Sequence, residues 1–149
     1  MDSLAKFVLP TDPSGLEGRI MVSLHAYSPY DFATAKTTTF NSSVKSTVDW
    51  VFNTIRNTLT SKNIPAYLGE WGVYSETKNA DARMKYVDYY VSSASKLKDA
   101  SGNIIKIPTI IWDNASYGNA SENYGLLNRK NNTWYEPEYV RAIINAGNK

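Results

Sequence analysis

Pro65-Ala66-Tyr67-Leu68-Gly69-Glu70-Trp71-Gly72 is a short apolar run that ends on a carboxylate set between two glycines. The run predicts a strand over Ala66–Gly69, and its continuous rather than alternating apolar character is the pattern of a parallel sheet covered by helices. Two further runs end the same way. Ile20-Met21-Val22-Ser23-Leu24-His25 closes on the only histidine of the chain, and a third strand over Ile107–Trp112 closes on Ile110-Ile111-Trp112-Asp113-Asn114. Between the runs the apolar residues take helical spacing. Val44, Val48, Val51, Phe52, Ile55 and Leu59 share one face of a helix capped by Asn41 or Ser42 and reaching about Ser61. Met84, Val87, Tyr90, Val91, Ala94 and Leu97 do so in a second helix, from Ala80 to Lys98, and Gly102 ends that unit. Pro137 suits the first turn of a last helix, with Tyr139, Val140, Ile143 and Ile144 inside and Gly147 past its end. The lead-in 1–19, the polar stretch through Tyr30-Asp31-Phe32 to Thr39, and 113–136 read as loops. The order strand, helix, three times over, makes 1–149 a single α/β domain.

Composition narrows the chemistry. With 149 residues and 42% hydrophobic content the chain has enough apolar mass for a real core. A net charge of +2 offers no broad basic surface for nucleic acid. There is no cysteine and one histidine, so neither a disulfide frame, a thiolate metal site nor a typical zinc site is expected. No glycine-rich phosphate loop follows any strand, which argues against a nucleotide-binding unit. No apolar run is long enough to span a membrane, and the opening Met1-Asp2-Ser3-Leu4-Ala5-Lys6 shows no signal-peptide core. Eleven Tyr and four Trp suit either a core or the stacking of sugars.

The polar residues of interest lie at the C-terminal ends of the strands, where α/β barrels and open α/β sheets carry their sites. Glu70 is a nucleophile or proton-transfer group in an apolar cleft, or else a solvated carboxylate at a turn. His25 and Tyr27 are two residues apart and point the same way in extended chain. They either hydrogen-bond a substrate or a neighbouring carboxylate, or cap the core. Trp112 is a platform for a pyranose ring or a core residue. Asn114 bonds a hydroxyl or forms a turn. Tyr30 and Trp134 lie in loops and carry less weight.

Three segments together resemble a known family. Val22-Ser23-Leu24-His25-Ala26-Tyr27, the Pro65–Gly72 run and Ile110-Ile111-Trp112-Asp113-Asn114 are similar to glycoside hydrolase family 5, in particular its endo-β-1,4-glucanases (cellulases). Tyr124-Gly125-Leu126-Leu127-Asn128-Arg129, Trp134 and Glu136-Pro137-Glu138 resemble the end of those enzymes, so the likeness runs from about Phe7 onward. It implies that Glu70 is the nucleophile on the seventh barrel strand, with His25 and Tyr27 beside it on the sixth. Trp112 would be the eighth-strand sugar platform; Asn114 and Tyr30, read from their places in the chain, are the further candidate substrate contacts. The substrate would be a β-glucan, the parent enzyme extracellular, and no cofactor would be needed. Such enzymes retain anomeric configuration. The nucleophile forms a glycosyl-enzyme, and a second Glu, roughly 5 Å away, protonates the leaving oxygen and then activates water.

The chain departs from the family in what it lacks. The acid/base Glu belongs to an Asn-Glu-Pro motif on the fourth strand, and none occurs here; Tyr135-Glu136-Pro137 stands at a helix start and is not its equivalent. The Arg, His and Asn of the second to fourth strands are missing too. A whole barrel needs roughly 250 residues. The expectation is a partial TIM (β/α)8 barrel holding units six to eight, as a fragment, a split gene product or a designed piece. Three strands cannot close, so open edges near 20–24 and 107–111, and lost inner packing at Leu24, Leu68 or their neighbours, are expected. The partner would be a second copy or a complementary N-terminal half. The alternatives to a hydrolase fragment are a non-catalytic sugar-binding module and a purely structural half-barrel.

Overall fold

The computed structural model describes residues 2–16, 18–75, 79–118 and 121–149. Parts of the lead-in (Met1 and Glu17) and of the 113–136 loop (119 and 120) lie outside the described residues. After a 3-10 turn at Asp2–Lys6 come β1 (Val22–His25), the single turn α1 (Tyr30–Ala33), α2 (Ser42–Thr58), a second 3-10 turn at Thr60–Lys62, β2 (Ala66–Trp71) and α3 (Ala80–Ala94). A small hairpin of β3 (Leu97–Lys98) and β4 (Ile104–Ile105) follows. Then come β5 (Thr109–Ile111), a second hairpin of β6 (Leu127–Asn128) and β7 (Thr133–Trp134), and α4 (Pro137–Gly147).

β1, β2 and β5 form one parallel sheet with β2 in the centre. Each is followed by a helix, giving the three βα units read from the sequence. Asn41 caps α2 by accepting the Val44 N–H on its side-chain oxygen at 3.1 Å, a contact worth about 1 kcal/mol. All six predicted apolar positions of α2 are buried. They meet Leu68 and Trp71 of β2 and Tyr86, Val87 and Tyr90 of α3 in one core. Trp71 stacks on Tyr90 at 4.8 Å between centroids, and Phe52 meets the same ring at 5.0 Å. α4 packs along α3. Buried Arg83 of α3 pairs with Glu136 at the start of α4 and lies 4.0 Å over the ring of Tyr139.

Among the described residues the helices cover one side of the sheet only. On the other side Met21, Ser23, His25 and Ile110 are exposed, and Tyr67 is half-buried. Of the residues expected to lose inner packing, the neighbours Ser23, His25 and Tyr67 face the open side, while Leu24 and Leu68 themselves do not. They pair across β1 and β2 on the helix-covered side, where Leu68 is fully buried and Leu24 packs against the core. Alternation from Val22 and Ala66 decides this. The face left open carries the residues between them.

Several boundaries also move. α2 ends at Thr58, before the 3-10 turn, and Asn63 leaves that turn with a left-handed φ of 58°. α3 stops at Ala94, because Leu97 and Lys98 pair with Ile105 and Ile104 around Gly102, whose φ of 84° suits glycine. Leu97 remains buried, but from a strand. The polar stretch at Tyr30 folds into α1 over Tyr30–Ala33, and the start of the lead-in into the first 3-10 turn. In α4, Gly147 is the last helical residue rather than the one after. Ile144 is exposed, because it lies about 100° around the helix from Ile143, off the buried stripe of Tyr139, Val140 and Ala146.

Candidate active site

β2 carries one more residue than either neighbour between Leu68 and Trp71. Leu24 pairs with Leu68 and His25 with Glu70, while Leu68 pairs with Thr109 and Trp71 with Ile111. This is a β-bulge seen from both sides. Its effect follows from the two-residue period of a strand. Leu68 and Trp71, three apart, both face the helices and are fully buried. In a regular strand Glu70 would share the face of Leu68 and enter the core. The bulge turns it instead toward the open face. Gly69 makes the turn fit: a Cβ there would sit 2.7 Å from the Ser23 hydroxyl oxygen and 3.3 Å from the Tyr67 ring.

Three predicted site residues come together at this point. The Tyr27 hydroxyl donates to Oε2 of Glu70 at 3.0 Å, and Nδ1 of His25 lies 3.4 Å from the same oxygen. The Ala26 N–H donates to the Glu70 carbonyl at 3.0 Å, which locks the two strand ends in register. Among the described residues nothing donates to Oε1. Burial first, then the bond to Glu70 and its charge, pushes the Tyr27 phenol well above its ordinary value. The phenol therefore stays protonated and remains a donor at neutral pH.

Two positioning residues escaped the sequence reading. Tyr90 donates to the Ala26 carbonyl at 3.0 Å and Tyr86 to the Ser28 carbonyl at 2.8 Å. They hold the backbone on either side of Tyr27 from beneath. Both rings are fully buried, and burial raises both phenols. The signal was present: two Tyr at i and i+4 on a core face bring polar tips that need partners inside.

The remaining candidates are less concentrated. Trp112 follows β5, its N–H donating to the Trp71 carbonyl at 2.8 Å, and its side chain is 40% exposed on the rim. Tyr30 opens α1, well exposed, with the Lys36 ammonium 5.5 Å from its ring. Asn114 is engaged within its loop: its amide donates to the Glu122 carbonyl at 2.8 Å and its oxygen accepts from the Ser116 N–H at 3.0 Å. That is the turn role of the two read from the sequence. Glu136 accepts from Ser75, Arg83 and Tyr117 at the start of α4, and so is held as a structural carboxylate. No cluster of three metal-ligating side chains occurs among the described residues.

A family model described as cellulase (glycosyl hydrolase family 5) matches residues 2–118. The chain belongs to this family. Endoglucanase B of Neocallimastix patriciarum is 34% identical to it over 134 residues, 89% of this chain and 26% of that protein. A solved broad-specificity endoglucanase from Clostridium cellulovorans superposes with a TM-score of 0.81 at 33% identity, over 98% of this chain and 40% of that one. A lichenase from Caldicellulosiruptor sp. F32, solved with cellotetraose, gives the same TM-score at 32% identity, over 97% and 39%. The chain thus spans about a quarter to two-fifths of the length of these proteins. Its three βα units are part of a glycoside hydrolase barrel, and the open sheet face is the side that in a closed barrel points inward.

Proposed function

We propose that this chain supplies the nucleophile half of a retaining endo-β-1,4-glucanase site. The observation that carries the reading is the constellation at Glu70: Tyr27 and His25 both address Oε2, and among the described residues none donates to Oε1. Glu70 Oε1 attacks the anomeric carbon and forms a glycosyl ester as the bond to the leaving oxygen breaks. Tyr27 holds the carboxylate in a single orientation, and His25 lines the same edge. Trp112 offers its indole face to the sugar, and Tyr30 extends the rim. The proton for the leaving oxygen comes from a second carboxylic acid, which then takes a proton from the attacking water. The sequence has no Asn-Glu-Pro motif. That acid is therefore assigned to a complementary N-terminal barrel half, seated on the open face that carries Ser23, His25 and Ile110. The substrate is a β-1,4-linked glucan, in keeping with the cellotetraose in the lichenase structure. The same reading puts the assembled enzyme outside the cell, where such polymers lie.

The test is hydrolysis of soluble β-glucan by the chain alone and with an N-terminal half supplied in trans. Reducing ends only in the mixture are expected, and Glu70→Gln in that mixture should abolish them. The amide is nearly isosteric but cannot form the ester, so the loss should be several orders of magnitude. Tyr27→Phe should cost less, since the carboxylate remains. A Gln variant turning over at the parent rate would refute the role of Glu70. A second reading, a sugar-binding module without hydrolysis, is favoured by the exposure of Trp112 beside an incomplete acid/base pair. It predicts binding of cellooligosaccharide with no cleavage in either arm.

A further inference from the structure

Tyr124 stands beside Tyr27 in a loop that is tied down far more than its composition suggests. The two ring centroids are 5.3 Å apart at 53°, and Tyr124 also meets Tyr74 nearly edge-on at 4.6 Å. Tyr124 is buried although it belongs to a stretch rich in Asn, Gly and Ser. Its ring rests against the bare Cα of Gly72, where a Cβ would meet it at 3.0 Å. The backbone around it is fixed residue by residue. The Ser75 N–H donates to the Asn123 carbonyl at 2.8 Å, and the Asn123 amide donates back to the Ser75 carbonyl at 2.7 Å. Gly125 donates to the Ser116 carbonyl at 2.6 Å, and a Cβ on Gly125 would lie 2.5 Å from that oxygen. The N–H groups of Leu126 and Leu127 donate to the Asp113 carboxylate at 3.2 and 3.4 Å. The Ser75 hydroxyl is in turn anchored on Glu136.

Tyr90 and Tyr86 fix the backbone of Tyr27 but not its side-chain rotamer. A change of χ1 by about 120° would carry the phenol away from Glu70 and leave those backbone bonds intact. The Tyr124 ring closes one side of that rotation. We propose that Tyr124 is a positioning residue for the reaction: its ring, held by the Asn123–Leu127 ties, keeps the Tyr27 hydroxyl on Oε2 of Glu70. The proposal rests on the reading of Tyr27 and Glu70 as the reactive pair. Tyr124 acts through Tyr27 and needs only its ring, so its own hydroxyl is dispensable.

The test uses the full chain prepared with 3-fluorotyrosine. The fluorine resonance of Tyr27 is assigned by its absence in Tyr27→Phe, and its response to Glu70→Gln reports whether the phenol lies on the carboxylate. In the parent and in Tyr124→Phe, Glu70→Gln should shift the Tyr27 resonance. In Tyr124→Ala the response should vanish. Gly125→Ala, which must displace the segment while keeping the ring, should abolish it too and serves if Tyr124→Ala does not fold. A Tyr27 resonance that still responds in either variant would overturn the proposal and leave Tyr124 as loop packing only. A parent resonance that ignores Glu70→Gln would instead overturn the reactive pair itself, so the two failures are separable.

Discussion

The two sides of the central sheet are built on opposite rules. On the helix side, Leu68 and Trp71 are sealed by α2 and α3, and the buried phenols of Tyr86 and Tyr90 reach backbone carbonyls from within that layer. On the open side, His25, Ile110 and Trp112 face solvent, and the polar side chains that would do chemistry gather at one end. The same strand serves both sides, and the bulge at Gly69-Glu70 separates them. Stability is concentrated where the residues are fully enclosed, and the candidate site lies where the sheet face is open.

The strongest way to break this division is to cut matched residues on the two sides. Leu68→Ala should lower stability by about 2–5 kcal/mol, since it removes a fully enclosed side chain and leaves a cavity. Ile110→Ala, with half its surface already in solvent, should cost under about 1 kcal/mol in the isolated chain. Urea unfolding of both variants checks the pair. Equal losses would mean that the open face is covered in solution.

Trp112→Ala sharpens the functional side of the comparison. The loss of an indole face from a stacked sugar should weaken oligosaccharide binding by roughly 1–3 kcal/mol, read by calorimetry with cellotetraose. Unchanged affinity together with a lowered melting temperature would place Trp112 with the core.

The open face itself should be sticky. β1 and β5 pair with β2 on one side only, and Met21 and Ile110 expose apolar surface beside those edges. Self-association at micromolar concentration is expected by sedimentation. Ile110→Asp should weaken it about tenfold, the value of one desolvated apolar contact replaced by a charge. A parent chain that sediments as a well-folded monomer would sink this expectation.

Much of the fold was legible because burial writes itself as periodicity. The stripe of α2 and the strand-helix order needed no structure, and His25, Tyr27 and Glu70, which the fold brings together, stand out in the sequence because strand ends are where such sheets hold sites. The bulge was not legible, since the sequence around Gly69 is equally good for a regular strand. Only two neighbours in fixed register reveal the extra residue. The hairpins at Leu97–Ile105 and Leu127–Trp134 were missed because two-residue strands leave no periodic signal. Tyr124 stands out in the sequence by family likeness alone, since a contact with Tyr27, nearly a hundred positions away, has no trace in local pattern.

Asp113 offers the finest test, because it ties the functional rim to the rest of the fold by charge. Burial alone would raise its carboxyl. Donation from the Ala115, Leu126 and Leu127 N–H groups and from Arg129 outweighs that and holds it below the usual carboxylate range. A folded value below the unfolded one, about 3.9, means stability that is fully present above that pH and lost as the pH falls through the folded value. Solvent screening of the half-open rim keeps that contribution small. Asp113→Asn keeps the shape but removes the titrating group. The gap in melting temperature between parent and variant should therefore be widest near pH 6 and narrow toward pH 3. Measuring the difference isolates Asp113 from Asp12 and Asp99, whose carboxyls are also held low at the surface and titrate alike in both proteins. A gap that stays constant with pH would mean that the Asn123–Leu127 segment is held by its backbone pairing with Ser75 and Ser116, and that the carboxylate at the end of the third sheet strand adds nothing to it.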